Sequence, residues 1–357
     1  MAGTGVFTAA AAVLLCLSGC TNIGYYWQSA TGHLDLMTAA RPVGYWLEEG
    51  TTPARLKSRL ELSQRIRQFA VQELKLPDNP SYSRYADLKR PAAVWNVVAA
   101  PEFSVTLKTW CFPVTGCIGY RGYFDEAQAR AEAARLAAEG YESSVYPVPA
   151  YSTLGWMNWA GGDPLLNTFI YYPEGELARL IFHELAHQVV YAKDDTTFNE
   201  SFATAVERIG GARWLSMQAS QAARQEYAEF DARRQQFRAL AIATRERLDW
   251  IYGQHQGPER AALKKSAMAE FRTQYARLRE GWGGDPSRFR NLDLWVERAN
   301  NASFGAQAAY DQLVPGFERL FEHEGRDWTR FYDAVRRLAE LPRDERHEQL
   351  KKETTGA

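Results

Sequence analysis

The pentamer His183-Glu184-Leu185-Ala186-His187 places two imidazoles and a carboxylate at a spacing that a helix turns into geometry. On an α-helix the two histidines lie one turn apart, so their rings converge from one face on a point about 2 Å from each ring nitrogen. That is an arrangement for zinc, with Glu184 beside it. Leu180, Ile181, Leu185 and Val189 surround the pair with apolar positions, so the helix is expected to be a rigid core element. Two imidazoles leave zinc short of a third protein ligand, and Glu200 in Phe198-Asn199-Glu200-Ser201-Phe202-Ala203 is the candidate. Positions 188–199 suffice to end one helix near Tyr191, turn through Lys193-Asp194-Asp195-Thr196 and start a second beside it, capped by Asp195, Thr196 or Thr197. A layout with Gly and a third His further downstream fails, because Val190 and Lys193 hold those positions. Three protein ligands leave one coordination position open for water and a polarised carbonyl, with Glu184 as general base. One zinc ion per chain is expected.

Hydrolysis at such a centre also needs donors for the developing oxyanion. Tyr310 and Asn301 are the candidates, from a segment, Asn300 to Tyr310, whose paired amides and glycine differ from its helical surroundings. A tyrosine packed in a helical core is the equal alternative. Upstream, Ala150-Tyr151-Ser152-Thr153-Leu154-Gly155-Trp156 reads as an edge strand or loop that holds substrate backbone, with Tyr151 and Gly155 as contacts, or else as aromatic residues closing the core. Glu207, seven residues after Glu200 on the same predicted helix face, is placed to orient a ligand histidine, unless it is a solvated charge.

The elements that position these residues are ordinary globular ones. The chain has 357 residues, 46% of them hydrophobic and 24% charged, and 42 Lys+Arg against 43 Asp+Glu leave a net charge of −1. This composition excludes a disordered chain and a phosphate-neutralising nucleic-acid coat. Residues 53–76 carry apolar residues at helical spacing. From 92 to about 172 the texture turns to β-type runs at 94–98, 103–110, 118–124, 145–148 and 168–172, around an Ala-rich helix at 126–138. Beyond Pro173 helices are predicted at 175–191, 198–209, 212–252 (charged, a solvated hairpin), 258–278, 291–300, 306–321 and 328–341, before a polar tail expected to fray. The expectation is a predominantly helical α+β fold: a small antiparallel β region, a zincin-like pair of active-site helices, then a helical C-terminal part. The organisation reads as 1–19 signal, 20–91 anchor and helical segment, 92–211 catalytic core, 212–341 helical part and 342–357 tail.

Met1 to Cys20 contains no Asp, Glu, Lys or Arg, and its apolar run from Val6 to Leu17 is too short to span a bilayer. Its end, Leu17-Ser18-Gly19-Cys20, resembles the lipobox of bacterial lipoproteins, which implies cleavage before Cys20 and lipidation of its thiol. Thr21 is compatible with outer-membrane sorting of a lipid-anchored protein facing the periplasm. Of the four cysteines, export then leaves Cys111 and Cys117 in an oxidising compartment, where a disulfide pinning a hairpin is expected; a zinc site on two cysteines alone is weak.

His183-Glu184-x-x-His187 with Asn199-Glu200-Ser201-Phe202-Ala203 resembles the gluzincin metallopeptidases, whose third zinc ligand is a Glu in an N-E-x-F-A-type helix. With the lipobox, the 150–156 segment and Asn300-Asn301-Ala302, most of the mature chain resembles a bacterial family of zinc aminopeptidase lipoproteins. The resemblance implies cleavage of short peptides, and the Asn300 to Tyr310 segment matches that family's pattern. Many gluzincin aminopeptidases hold the substrate amine with a G-x-M-E-N segment, which is absent here; Asp163 and Glu174 stay open for that role. An envelope endopeptidase and a lipoprotein scaffold stabilised by zinc are the alternatives.

Overall fold

A computed structural model describes residues 24–112, 116–150, 152–283, 289–309 and 312–355. The signal segment, Cys20, Tyr151 and Tyr310 lie outside the described residues.

In chain order the elements are α1 (24–39), β1 (Arg41–Pro42), α2 (Val43–Glu48), α3 (Ala54–Leu74), β2 (Arg84–Ala86), β3 (Val94–Pro101), β4 (Trp110–Phe112), β5 (Gly116–Ile118), β6 (Arg121–Tyr123), α4 (Glu126–Ala138) and β7 (Tyr141–Val148). A short 3-10 turn (Asn158–Ala160) and β8 (Leu165–Leu166) lead into the helical half. That half comprises α5 (Glu174–Ala186), α6 (Thr196–Met217), α7 (Gln221–Gln254), α8 (Gly257–Gly281), α9 (Arg290–Arg298), α10 (Asn301–Ala309), α11 (Val314–His323), α12 (Trp328–Glu340) and α13 (Arg343–Thr355). The fold is α+β and predominantly helical, as the sequence indicates. No helix among the described residues is long and apolar enough to cross a membrane.

The described residues form three small sheets: antiparallel β6-β3-β7, the β4-β5 hairpin, and β1-β2-β8, in which β2 and β8 run parallel. Alternate residues of β3 serve opposite faces, as a strand dictates. Trp95, Val97 and Ala99 pack with Ala129 and Leu136 of α4, while Val98 and Ala100 pack with Ala302 of α10. The main core forms where α3, α5, α6, α11 and α12 meet, with Leu60, Phe182, Phe202, Phe317 and Phe331 fully buried. A second core holds the α7–α8 hairpin against α9 and α10 through Phe237, Phe271 and Phe304.

α5 is central because its apolar stripe, Leu177, Ile181, Phe182 and Leu185, is buried on all sides. α6 packs closely against α3 and α5 because Gly210 and Gly211 lack side chains: a Cβ on Gly210 would stand 2.6 Å from Leu74 of α3 and 3.1 Å from Phe182 of α5, and one on Gly211 2.7 Å from Arg179 of α5.

Several boundaries differ from the sequence reading. Residues 103–109 form no strand, and Phe103 sets its ring against Tyr252, flanked by Arg260 and Lys264, rather than extending along the hairpin. The 118–124 run splits because β5 pairs with β4 whereas β6 pairs with β3. The parallel partner of β2 is Leu165–Leu166, and 168–172 is turn, with the Thr168 hydroxyl donating to the Pro149 carbonyl. The run 212–252 breaks at 218–220, where Ser220 caps α7, and 306–321 is two helices, with Pro315 in the first turn of α11. The tail is not frayed: α13 buries Leu350 and sends Arg346 and His347 to Asp195.

Candidate metal centre

α5 starts after Pro173 and ends at Ala186, earlier than the predicted Tyr191. The loop that follows is closed by one side chain. Asn199 accepts from Ala192 N–H at 2.7 Å and donates back to the Ala192 carbonyl at 2.8 Å, in a position that excludes water. Asp195 caps α6 by accepting from Phe198 N–H at 3.1 Å, which selects it from the three predicted caps. Asn199→Ala is therefore expected to cost about 2–3 kcal/mol of stability through two unpaired buried backbone groups. Urea denaturation measures this, and a loss below about 0.5 kcal/mol would show that the clamp is dispensable.

This loop brings α6 antiparallel to α5 and puts Glu200 opposite the two histidines. His183 Nε2 and His187 Nε2 are 3.2 Å apart, and Glu200 Oε2 lies 3.3 Å from the first and 3.6 Å from the second. The edge of a zinc tetrahedron with bonds of about 2.0–2.1 Å is roughly 3.3 Å, so the three donor atoms stand where a single tetrahedral ion requires them. Two imidazoles and one carboxylate form a donor set that leaves a coordination position open. The residues present fit zinc.

Glu207, two turns along α6 from Glu200, has Oε2 at 3.0 Å from His183 Nδ1, and its other oxygen accepts from Arg179. Arg179, itself buried, also donates to the Tyr227 hydroxyl at 3.0 Å. A carboxylate on the far nitrogen fixes the ring and its tautomer, leaving Nε2 free to bind metal. Glu207→Gln is expected to weaken zinc affinity about 10- to 100-fold. Competition with a chromogenic chelator measures it; unchanged affinity would reduce the contact to packing.

The charges here shape one another. Burial works to raise Glu200, but the imidazoles of His187 and His183 outweigh it and hold the carboxyl at about 2. Burial likewise opposes ionisation of Glu207, yet Arg179 and His183 hold it at about 2. His183 is pushed down by burial and up by Glu200 and Glu207, which prevail and raise it well above the usual imidazole range. Glu184 is raised, first by burial and further by Glu200 and Glu207, against the two histidines.

A cavity of about 470 Å³ opens onto His183, Glu184, His187 and Glu200. Ser152 and Leu154 line it, so the segment upstream of α5 does face the cluster. Gly155 does not line it. It is a turn residue at φ +79°, where an added Cβ would meet Asn158 and Gln188. Asn301 requires correction as an oxyanion donor. Its amide is fully buried and donates to the Pro101 and Glu102 carbonyls at 3.1 and 2.7 Å, while its oxygen accepts from Tyr252 at 2.7 Å, so it ties α10 to the end of β3. Asp163 and Glu174 are also otherwise engaged. Asp163 accepts from Thr153 N–H at 3.1 Å, and burial lifts its carboxyl to about 6; Glu174 accepts from Trp214 Nε1 at 3.1 Å.

Of the tyrosines lining the cavity, Tyr120 and Tyr191 feel the charge of Glu200, and neither is among the site residues expected from the sequence. Tyr120 sits between β5 and β6, and its phenol feels Glu200 and Glu184, which add to burial in pushing it well above its usual range. Its only sequence signal is an aromatic residue three positions after a disulfide cysteine. Cys111 and Cys117 are bonded, and the bridge closes the β4-β5 hairpin.

The fold and the cluster define a helical α+β protein with a site able to hold one metal ion between two antiparallel helices. Residues 24–350 match the family described as "Putative aminopeptidase", and the chain belongs to that family. No curated protein and no solved structure matches the chain.

Proposed function

We propose that the protein is a zinc-dependent peptidase, an aminopeptidase acting on short peptides in the cell envelope. The observation that carries this is the convergence of His183, His187 and Glu200 on one tetrahedral site beside Glu184, in a chain of an aminopeptidase family. Zinc bound there supplies Lewis acidity to the substrate carbonyl and acidity to a water molecule. Glu184 lines the same cavity and is the residue that takes the proton of the attacking water and passes it to the departing amine. Glu207 holds His183 in register through Nδ1. Tyr120 is the donor to the developing oxyanion, in place of Asn301. Tyr120→Phe is expected to lower kcat about 10²- to 10³-fold with metal content unchanged, and an unaltered kcat would remove it from this role.

The purified protein is expected to contain one zinc per chain and to release N-terminal residues from short peptides in a chelator-sensitive manner. A folded, metal-refractory preparation would sink the proposal. An endopeptidase is the second reading, favoured by space that continues on both sides of His183 and Glu184. Blocking the peptide N-terminus separates the two, since only an endopeptidase would still cut. We also propose export and lipid anchoring at Cys20, facing the periplasm from the outer membrane; Cys20→Ser should then abolish labelling by radioactive palmitate.

A further inference from the structure

Two cavities that differ in their charged lining meet at His183 and Glu184, and Val148 and Ala150 line both. The larger, about 780 Å³, is ionic, with Arg179, Arg234, Glu176 and Asp231 among the side chains facing it. The other, about 470 Å³, is walled by Tyr25 and Tyr26 of α1, Phe112 and Ile118 of the disulfide hairpin, Val94 and Phe124. Among the described residues, no Lys, Arg or Asp lines this second cavity, and its only carboxylates are Glu184 and Glu200.

We propose that this apolar cavity is a specificity subsite, which admits a large aliphatic or aromatic side chain on one of the two residues flanking the scissile bond. The assignment rests on the peptidase reading and adds the substrate class. A charged side chain entering here would leave water and meet no ionic partner apart from Glu184 and Glu200 at the metal cluster, whereas an apolar one gains contact on several sides. The volume suits a side chain of that size.

The walls are held in place before any substrate arrives. Cys111–Cys117 closes the hairpin, and Cys117 N–H donates to Asp194 Oδ1 at 2.6 Å, in the loop joining α5 to α6. Gly116 makes this docking possible: it sits at φ +74°, and a Cβ there would fall 2.3 Å from the same oxygen. On the other wall the Tyr25 ring lies 5.6 Å from those of Phe112 and Tyr123 and 4.0 Å from the Arg121 guanidinium. α1 and the hairpin thus brace each other across the cavity. Neither element belongs to the metal-binding helix pair, although the hairpin leads directly into Tyr120.

The test is digestion of a complex peptide library by the purified protein, with cut sites read by mass spectrometry. Leu, Ile, Met, Phe, Tyr and Trp are expected to be enriched about 10-fold or more at one position flanking the cut. Phe112→Ala should flatten that preference, and Ile118→Phe should shift it to smaller side chains. If either variant fails to fold, the other and the unaltered protein still decide. A readout without turnover is calorimetric titration of the Glu184→Gln protein, which should bind phenylalaninamide about 10- to 100-fold more tightly than glycinamide. Cutting with no apolar preference at either flanking position, or equal binding of the two amides, would overturn the subsite. Absence of any cleavage would instead overturn the peptidase reading, and the amide titration would still judge the cavity.

Discussion

Glu184→Gln is expected to lower kcat/KM for peptide hydrolysis by about 10²- to 10⁴-fold while metal content stays at one ion per chain. The substitution keeps size and hydrogen-bonding shape but removes the ability to accept a proton. Glu184 is not one of the three converging donors, so the site should still close around metal. Its side chain faces both cavities that meet at the cluster, which is where a proton must travel between attacking water and leaving amine. Two measurements are needed on one preparation: metal by mass spectrometry and initial rates on a free-amine peptide. A variant that keeps its metal and more than a tenth of its activity would end the assignment of Glu184 as the base. If metal is lost too, Glu184 is instead part of the binding set.

Glu200→Ala or His187→Ala should remove metal, and with it all peptidase activity. These side chains are nearly buried, and their donor atoms stand within 4.8 Å of one another. A bound ion draws them together and stabilises the folded chain by mass action, about 4 kcal/mol when its concentration is a thousandfold above Kd. Adding zinc to the metal-stripped unaltered protein should therefore raise Tm by several degrees, and adding it to either variant should leave Tm in place. A variant that still binds one equivalent, with the same thermal response, would show that the ion sits elsewhere.

The donor geometry was legible in the sequence because it is local. His183 and His187 share a helix face by their spacing alone, and Glu200 needs only one turn of chain to stand opposite them. Glu207 followed from the same periodicity, and the structure places it against His183 Nδ1. Asn301 was misread because a pair of amides among helical residues looks the same whether it serves a substrate or a backbone. Its partners, the carbonyls of Pro101 and Glu102, lie 200 and 199 positions away, which no spacing rule reaches. Tyr120 was hidden for a related reason. Its run was expected to be one strand, and only the exchange of partners between β5 and β6 leaves the residue facing the cluster. The predicted fraying of the tail failed because a single buried leucine, Leu350, carries most of its apolar contact, too sparse a signal among so many charges.

Asp195, the buried cap of α6, is reached by His347 at 2.9 Å and Arg346 at 3.5 Å, from 152 and 151 positions further along the chain. Every donor is therefore synthesised within one short stretch, His183 to Glu200, long before the residues that secure the start of its second helix. A nascent chain carries the parts of the centre and its local bonds at Asn199 and Asp195, but not the distal side chains that hold Asp195. If the site takes zinc as proposed, a chain cut before Arg343 is expected to bind it more weakly even though His183, His187 and Glu200 are present.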